Sequence, residues 1–210
     1  MSLANGYHDL PPGKVAFVVT YLEMLGRPAS PGDSGSARPH ARYAIRHVPA
    51  PDLAWYRDLF RRVGADWLWA SRLRLTDEAL ATTIRDPAVS IYTLVHEGRD
   101  EGLLELDFRV QRQCELAFFG VTAPLIGCGA ARHLMQHAIT ETWNRPVDRF
   151  WVHTCTGDHP SAPVFYQRSG FVTYRTGIEI ADDPRLEGLL PETAAPHVPL
   201  IRERQGSGRT

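Results

Sequence analysis

The glycine-containing segment Gly127-Cys128-Gly129-Ala130-Ala131 separates two stretches of different periodicity. An apolar run from Glu115 to Val121 precedes it and is typical of a strand, whereas apolar residues recur at helical spacing from Gly127 to about Asn144. The segment is therefore predicted to be a tight strand-to-helix turn. Its glycines allow a ligand to approach the backbone closely, and the unpaired N–H groups at a helix start attract anions. A glycine turn that binds nothing would look the same.

A second segment, Tyr166-Gln167-Arg168-Ser169-Gly170-Phe171, follows after one further predicted strand, Arg149 to Cys155. Pro160 suits the first turn of a short helix, and Gly170 is placed to end that helix. Tyr166 is therefore predicted to lie on that short helix. The order of strand, turn, helix, strand and helix is more specific than either segment alone.

Together the two segments resemble the GNAT N-acetyltransferase superfamily. The family's loop usually reads Arg or Gln, two residues, Gly, one residue, then Gly or Ala, and Ile126, Gly129 and Ala131 stand at these positions here. Ile126 departs from that pattern, and Cys128 stands where a basic residue is common.

The second segment carries the same resemblance. The family frequently shows Asn, Ala, Leu or Phe, and Tyr at positions that correspond to His159, Ala162, Phe165 and Tyr166, so only the Asn is replaced. Residues 153–160, which read His-Thr-Cys-Thr-Gly-Asp-His-Pro, also resemble a bacterial GNAT subgroup.

The resemblance implies direct attack of an amine on the thioester of acetyl-CoA, with no covalent enzyme intermediate. Glu115 is the implied general base, because an ammonium with a pKa of about 10 must lose a proton before it attacks. Tyr166 is the implied proton donor to the departing thiolate. Ordinary structural roles are the alternatives, namely a solvent-facing glutamate at a strand end and a half-buried packing tyrosine.

The resemblance also implies which residues contact acetyl-CoA. A backbone N–H of the strand near Phe119 to Val121 is expected to polarise the thioester carbonyl. His159 is either a contact and proton carrier or a cap of the following helix. The implied contacts are Phe119, Gly120, Val121, Gly127, Cys128, Gly129, Ala130, Ala131, Arg132, Asp158, His159 and Tyr166.

The fold class that follows is α/β (α+β), a GNAT fold with a mixed, mostly antiparallel central sheet flanked by helices on both faces. Residues 1–41 are expected to form an N-terminal strand and a flexible loop, residues 42–180 the acyltransferase domain, and residues 181–210 a C-terminal tail that wraps the domain. Apolar residues in the tail make a homodimer a hypothesis. Asp52 is predicted to cap a helix that ends at Gly64.

Aromatic residues concentrate on that helix and just after it, where GNAT enzymes usually shape the acceptor pocket. The predicted substrate contacts are Trp55, Tyr56, Trp67 and Trp69, and the implied acceptor is a primary amine of a small molecule. Aromatic residues at helical spacing are also common in a core, which is the alternative.

Composition narrows the remaining functional classes. A formal net charge of −1 argues against nucleic-acid and anionic-membrane partners. The three cysteines, Cys114, Cys128 and Cys155, have no paired spacing, which favours a reducing, cytoplasmic location. No metal site is predicted, because His153, Cys155, Asp158 and His159 lack a second ligand pair. Two further classes stay open, an inactive acyl-CoA sensor and a protein N-terminus or lysine acetyltransferase.

Overall fold

The computed structural model describes residues 4–28 and 42–203. Within these ranges the chain forms seven strands and four α-helices. The strands are β1 (Lys14–Met24), β2 (Ala44–His47), β3 (Val89–His96), β4 (Arg99–Asp107), β5 (Gln113–Val121), β6 (Arg149–Cys155) and β7 (Val172–Asp182). The helices are α1 (Leu53–Gly64), α2 (Asp77–Ile84), α3 (Ala130–Trp143) and α4 (Ala162–Arg168). From position 29 onward, the predicted flexible loop lies outside the described residues.

The strands form one sheet in the order β2-β3-β4-β5-β6-β1-β7. All neighbours are antiparallel except β5 and β6, which are parallel. One core cluster joins the sheet to α3 through residues such as Leu134 and Met135, and the other joins it to α1 through Leu59 and Phe60. The predicted mixed, mostly antiparallel sheet with helices on both faces is thus confirmed.

Strand β1 lies inside the sheet, between β6 and β7. Val19 is opposite Cys155 on one side and Gly177 on the other, so two strands from the other end of the chain enclose it. The predicted boundary at residue 42 therefore leaves out a strand of the sheet. The boundary at residue 180 is also too early, since β7 continues to Asp182.

Part of the tail after β7 packs against the domain. Arg185 and Asp183 form a buried ion pair of 2.7 Å, and the Arg185 guanidinium also donates to the carbonyl oxygen of Val198. Leu190 and Ala195 are buried in the core cluster that contains α1. The tail is thus part of the packed structure as far as these contacts extend.

Local signals account for the position of α1 and of the residues that follow it. Asp52 accepts a hydrogen bond from the N–H of Trp55 at 3.0 Å, as the predicted cap requires, and the helix ends at Gly64. A β-carbon on Gly64 would lie 2.5 Å from the Trp69 side chain, so the glycine lets Trp69 pack against the helix end.

Among the helices of the described residues, none has the length and apolar character needed to cross a membrane.

Candidate active site

The parallel contact between β5 and β6 is short. It consists of three residue pairs and ends at Glu115 and Trp151. Beyond this point β5 stays paired with β4 as far as Val121, and β6 stays paired with β1 as far as Cys155. A register shift in β5 opposite Glu105 adds to the divergence, because a bulge bends the strand that contains it. The two strands therefore diverge and open a gap in the sheet.

A cavity of about 750 Å³ occupies this gap. Residues 116–121 of β5 line one wall, and Val152, His153 and Cys155 of β6 line the other. The start of α3, the helix α4 and the segment after α1 complete the lining. The predicted site residues that line it are Glu115, Phe119, Gly120, Val121, Gly127, Gly129, Ala131, Arg132, Asp158, His159, Tyr166, Trp67 and Trp69.

The glycine turn has the backbone conformation that the sequence predicts. Gly127 and Gly129 have φ angles of 80° and 85°, in the left-handed region that favours glycine. Gly129 caps α3 without a side-chain hydrogen bond, and the N–H of His133 donates to the Gly129 carbonyl. The N–H groups of residues 130–132 consequently have no partner within the helix. Together with the exposed, cavity-lining side chain of Arg132 they form a set of donors suited to a phosphate.

Two of the predicted acetyl-CoA contacts are not placed in this lining. Ala130 is fully buried in the core cluster, and its side chain packs beneath the turn. Cys128 lines a second pocket, and its N–H donates to the Leu125 carbonyl at 3.3 Å. Since both its side chain and its N–H are directed elsewhere, Cys128 is corrected from an expected anion contact to a residue that shapes the turn.

Tyr166 lies on α4 with 7% of its surface exposed, and it lines the cavity. Its ring contacts those of Phe119, Phe165 and Phe171 at centroid distances of 6.2, 5.8 and 5.8 Å. Its hydroxyl makes no hydrogen bond to any part of the chain that the structure describes. Burial raises the pKa of Tyr166, and the negative charge of Asp158 raises it further. The tyrosine therefore stays protonated and has a free donor.

Asp158 and His159 have local partners as well as positions in the cavity lining. The Asp158 carboxylate accepts hydrogen bonds from the indole of Trp69 at 3.1 Å, the hydroxyl of Thr154 at 2.8 Å and the N–H of Cys155 at 2.8 Å. Asp158 thus ties the end of β6 to the segment after α1. His159 Nδ1 accepts from the N–H of Ser161 at 3.1 Å, so a neutral ring has its proton on Nε2. This contact belongs to the turn before α4 and does not cap the helix, whose N-cap residue is Ser161 and which has no side-chain cap hydrogen bond.

Glu115 and His153 face each other across the gap. His153 Nδ1 lies 3.6 Å from Glu115 Oε1, and their side chains are 44% and 27% exposed. The neighbouring Glu115 carboxylate raises the pKa of His153, and the charges of Asp158 and Glu179 act in the same direction. At 3.6 Å the two groups form an ion pair when the imidazole is protonated, and an imidazole beside a carboxylate at the mouth of a cavity is a base suited to neutral pH.

His153 was not predicted as a catalytic residue. Alternation along β6 puts His153 and Cys155 on one face of the strand, and this pattern suggested only a metal pair. No group of three or more His, Cys, Asp or Glu side chains among the described residues is arranged to hold a metal ion. The partner of His153 is 38 positions away in sequence, so only the register of β5 and β6 brings the two together.

The four aromatic residues predicted to contact substrate separate into two pairs. Trp67 and Trp69 line the cavity, with Trp69 5.3 Å from the Phe118 ring and Trp67 5.1 Å from the His159 ring. Trp55 is outside the lining and donates its indole N–H to Asp100 at 2.8 Å. Tyr56 is fully buried. The structure corrects the prediction for both residues to the core role that was its alternative, with Tyr56 inside the core cluster and Trp55 packed against it.

A buried polar group lies beneath the cavity and was also missed. The hydroxyl of Tyr56 donates to Glu105 Oε2 at 2.5 Å, and Arg72 donates to Glu105 Oε1 at 2.5 Å. Glu105 is 0% exposed, and Arg72 reaches the cavity with its guanidinium 4.9 Å from the centre of the Phe118 ring. Sequence separations of 33 and 49 residues left no local signal for this group.

Comparison with solved structures gives 105 matching chains. A GCN5-related N-acetyltransferase from Sphaerobacter thermophilus has a TM-score of 0.58 and 16% identity over 80% of this chain and 52% of its own. The ribosomal-protein-S18-alanine N-acetyltransferase from Escherichia coli has a TM-score of 0.52 and 17% identity over 66% of this chain and 90% of its own. An IAA acetyltransferase from Bacillus cereus has a TM-score of 0.50 and 19% identity over 63% of this chain and 79% of its own.

The fold is that of the GNAT acetyltransferases. This chain spans about half the length of the Sphaerobacter protein. At these identities the likeness concerns the GNAT fold alone. No family model and no curated protein matches the sequence. The bacterial subgroup suggested by residues 153–160 stays a prediction.

Proposed function

We propose that this protein is a GNAT N-acetyltransferase that moves an acetyl group from acetyl-CoA to a primary amine of a small molecule. The observation that supports this most strongly is the continuity of one cavity. It joins the helix start at Gly129, the hydroxyl of Tyr166 and the Glu115–His153 pair within the gap between β5 and β6. A binding site for the acetyl donor, a hydrogen-bond donor for the leaving thiolate and a base for the amine therefore lie next to each other.

The start of α3 is the proposed site for the pyrophosphate of acetyl-CoA. Its free N–H groups and the positive end of the helix dipole favour an anion. Arg132 adds a positive charge and has no ion-pair partner among the described residues. On the opposite wall, a β-carbon at Gly120 would lie 2.6 Å from Val63, so this glycine lets α1 pack closely on β5. The absence of a basic side chain at Ile126 leaves the backbone donors and Arg132 as the main contacts.

Deprotonation of the amine is assigned to Glu115 and His153. Bound as an ammonium, the acceptor passes one proton to this pair, directly or through water, and the neutral amine becomes nucleophilic. The raised pKa of His153 supports this role, because a base near the working pH takes up the proton and releases it again to solvent.

Attack forms a C–N bond at the thioester carbonyl and breaks the C–S bond as the intermediate collapses. The departing sulfur takes the electron pair, and it then takes the second proton that the amine nitrogen must lose to become an amide. Donors that point into the gap from β5 stabilise the developing oxyanion, since the N–H groups of that edge have no strand partner beyond Glu115.

Tyr166 is assigned to the leaving thiolate. The resemblance implies full proton transfer from Tyr166, but the pKa of its hydroxyl, which at about 10 is ordinarily above the thiol value of about 8.5, is raised further by burial. Complete transfer from Tyr166 is therefore uphill. A hydrogen bond from the free hydroxyl to the sulfur stabilises the same charge at no such cost.

Isothermal titration with acetyl-CoA and with CoA tests the proposal. Arg132→Glu reverses the charge at the helix start on an exposed side chain, whereas a side chain at Gly129 would strain the backbone. Gln136→Glu adds a negative charge one turn further along α3 at an exposed position outside the cavity lining, and it serves as the control. We expect binding by the native protein and by Gln136→Glu, with a loss of at least tenfold in Arg132→Glu. No binding by the native protein would overturn the proposal.

A further inference from the structure

Beside the cavity, the sheet presents an exposed group of aromatic rings and guanidinium groups. Its members are Tyr21 on β1, Trp151 on β6, Tyr174 on β7, and the arginines Arg149 and Arg175, and they are called here the aromatic platform. The Tyr21 ring lies 6.2 Å from that of Tyr174 and 5.8 Å from that of His153. Trp151 stacks on His153 at 6.2 Å. The platform is thus continuous with the proposed base.

These rings are accessible to a ligand. Tyr174 is 41% exposed, and Tyr21 and Trp151 are partly exposed. In a purely structural role, rings of this size would be expected beneath a helix, as Phe118 of β5 is, which packs against Phe60 of α1 at a centroid distance of 4.8 Å. A solvated sheet face is the simpler explanation of exposure, but it gives no reason for arginines to lie against the rings.

The two arginines differ in their partners. Arg149 donates to Glu23 at 2.6 Å and to Gln113 at 3.2 Å, so its charge is balanced. Arg175 lies with its guanidinium carbon 3.7 Å from the centre of the Tyr21 ring and forms no ion pair with any described residue. A guanidinium that stacks on a ring keeps its N–H edge free to bind a carboxylate or phosphate.

The other charges near Arg175 do not neutralise it directly. Glu23 is paired with Arg149, and Glu115 is paired with His153. Glu179 lies four residues further along β7 and faces the cavity. The platform therefore has one available positive charge on its far side and a carboxylate–histidine base on its near side.

Spacing along the sheet sets the size of the molecule that fits. His153, Tyr21 and Arg175 are successive partners across β6, β1 and β7, so Arg175 lies two strands from His153, about 10 Å between backbone positions. We infer that the aromatic platform binds the non-reacting part of the acceptor, and that the acceptor is a primary amine whose body has a planar ring and an anionic group. This inference rests on the proposed acetyltransferase function.

A pair of matched amines tests the inference. In 4-(2-aminoethyl)benzoate the carboxylate lies across the ring from the amine, and 2-phenylethylamine lacks only that carboxylate. Their kcat/KM with acetyl-CoA and their binding to the CoA complex by calorimetry are measured for the native protein and for Arg175→Gln. Arg61→Ala, an exposed arginine on α1 outside the platform, is the control.

We expect the native protein and Arg61→Ala to favour the benzoate roughly five- to tenfold, and Arg175→Gln to lose this preference. Equal values for the two amines, or a preference that survives in Arg175→Gln, would overturn the inference. If the protein binds acetyl-CoA but acetylates neither amine, the calorimetric comparison still decides. A protein that does not bind acetyl-CoA refutes the proposed function instead, so the two failures are distinguishable.

Discussion

Glu115 and Trp151 form the last residue pair at which β5 and β6 lie in register. Glu115 is therefore at the closed end of the gap, and His153, two residues beyond Trp151, is the first side chain of β6 on that face after the strands part. This position holds the carboxylate on paired backbone while its side chain faces open space. At Glu115 the backbone is therefore held by strand pairing, while the side chain lies at the edge of the gap between β5 and β6.

The Glu115–His153 contact predicts a pH effect with a definite sign. Because the partner raises the pKa of His153 in the folded chain, the pair adds stability below the unfolded histidine pKa of about 6.5 and loses it as pH rises through the folded value. Glu115→Gln should therefore lower the midpoint of the His153 imidazole titration measured by NMR. Its destabilisation should be larger at pH 6 than at pH 9, yet under about 1 kcal/mol, since the histidine is 44% exposed.

His137 provides the internal reference for this titration, because burial lowers its pKa and Glu115 is not among the charges that act on it. Its midpoint should be the same in both proteins. An unchanged His153 midpoint in Glu115→Gln would show that the 3.6 Å contact does not exist in solution.

Removal of the Tyr166 hydroxyl should affect catalysis and leave stability intact. Tyr166→Phe deletes a group that has no hydrogen bond to the described chain, so the free energy of unfolding should stay within about 1 kcal/mol of the native value. If the hydroxyl stabilises the leaving thiolate, kcat should fall about ten- to a hundredfold while acetyl-CoA binding is unchanged.

Tyr92→Phe is the matched control. The hydroxyl of Tyr92 donates to Glu141 at 2.9 Å, outside the cavity lining, so this variant should lose stability and keep its kcat. A native kcat in Tyr166→Phe would contradict the proposed catalytic role and would favour the alternative that Tyr166 is a packing residue.

Sequence periodicity was sufficient for the elements of the fold because strand and helix patterns are local. The start of α1 at Leu53 follows from Asp52, and the φ angles of Gly127 and Gly129 follow from the need for a tight turn. The place of β1 could not be predicted in this way. Its partners in β6 and β7 are more than 120 residues away, and its alternation does not say which strands it joins.

The candidate site also has features that local sequence patterns predict and features that depend on contacts between distant residues. Trp55 and Tyr56 are consecutive residues of α1, and the helical pattern does not distinguish a core face from a cavity wall. Burial of Tyr56 depends on Glu105, whose position relative to α1 is set by tertiary packing. In the sequence, His153 is likewise only one residue of an alternating strand. Its proximity to Glu115 depends on the register between β5 and β6, which the sequence pattern does not give.

The three cysteines should differ in reactivity. Burial raises the pKa of Cys114 to about 12 and that of Cys155 to about 12, so at pH 8 only about one in ten thousand of either thiol is ionised. Cys128 is exposed. The native protein should therefore react rapidly with one equivalent of a thiol reagent, and Cys128→Ser should abolish that phase while denaturant reveals the other two. Fast labelling that survives in Cys128→Ser would contradict this assignment.

The buried group of Tyr56, Glu105 and Arg72 should be among the more sensitive points of the fold. Glu105→Gln removes a fully buried charge and leaves the Arg72 guanidinium without its counter-ion, while the Nε of Arg72 is already buried without a partner. Unpairing a buried ion typically costs about 3–5 kcal/mol, so urea unfolding should show a loss in that range. Asp148→Asn, which breaks the exposed pair with Arg112, is the control and should change little.

Replacing all three residues of the buried group together, as Tyr56→Phe, Glu105→Leu and Arg72→Met, should recover part of the loss, because an apolar group of similar volume has no charge to desolvate. If Glu105→Gln is no less stable than Asp148→Asn, water must reach Arg72 from the cavity, and the ion pair contributes to the shape of the site without stabilising the fold.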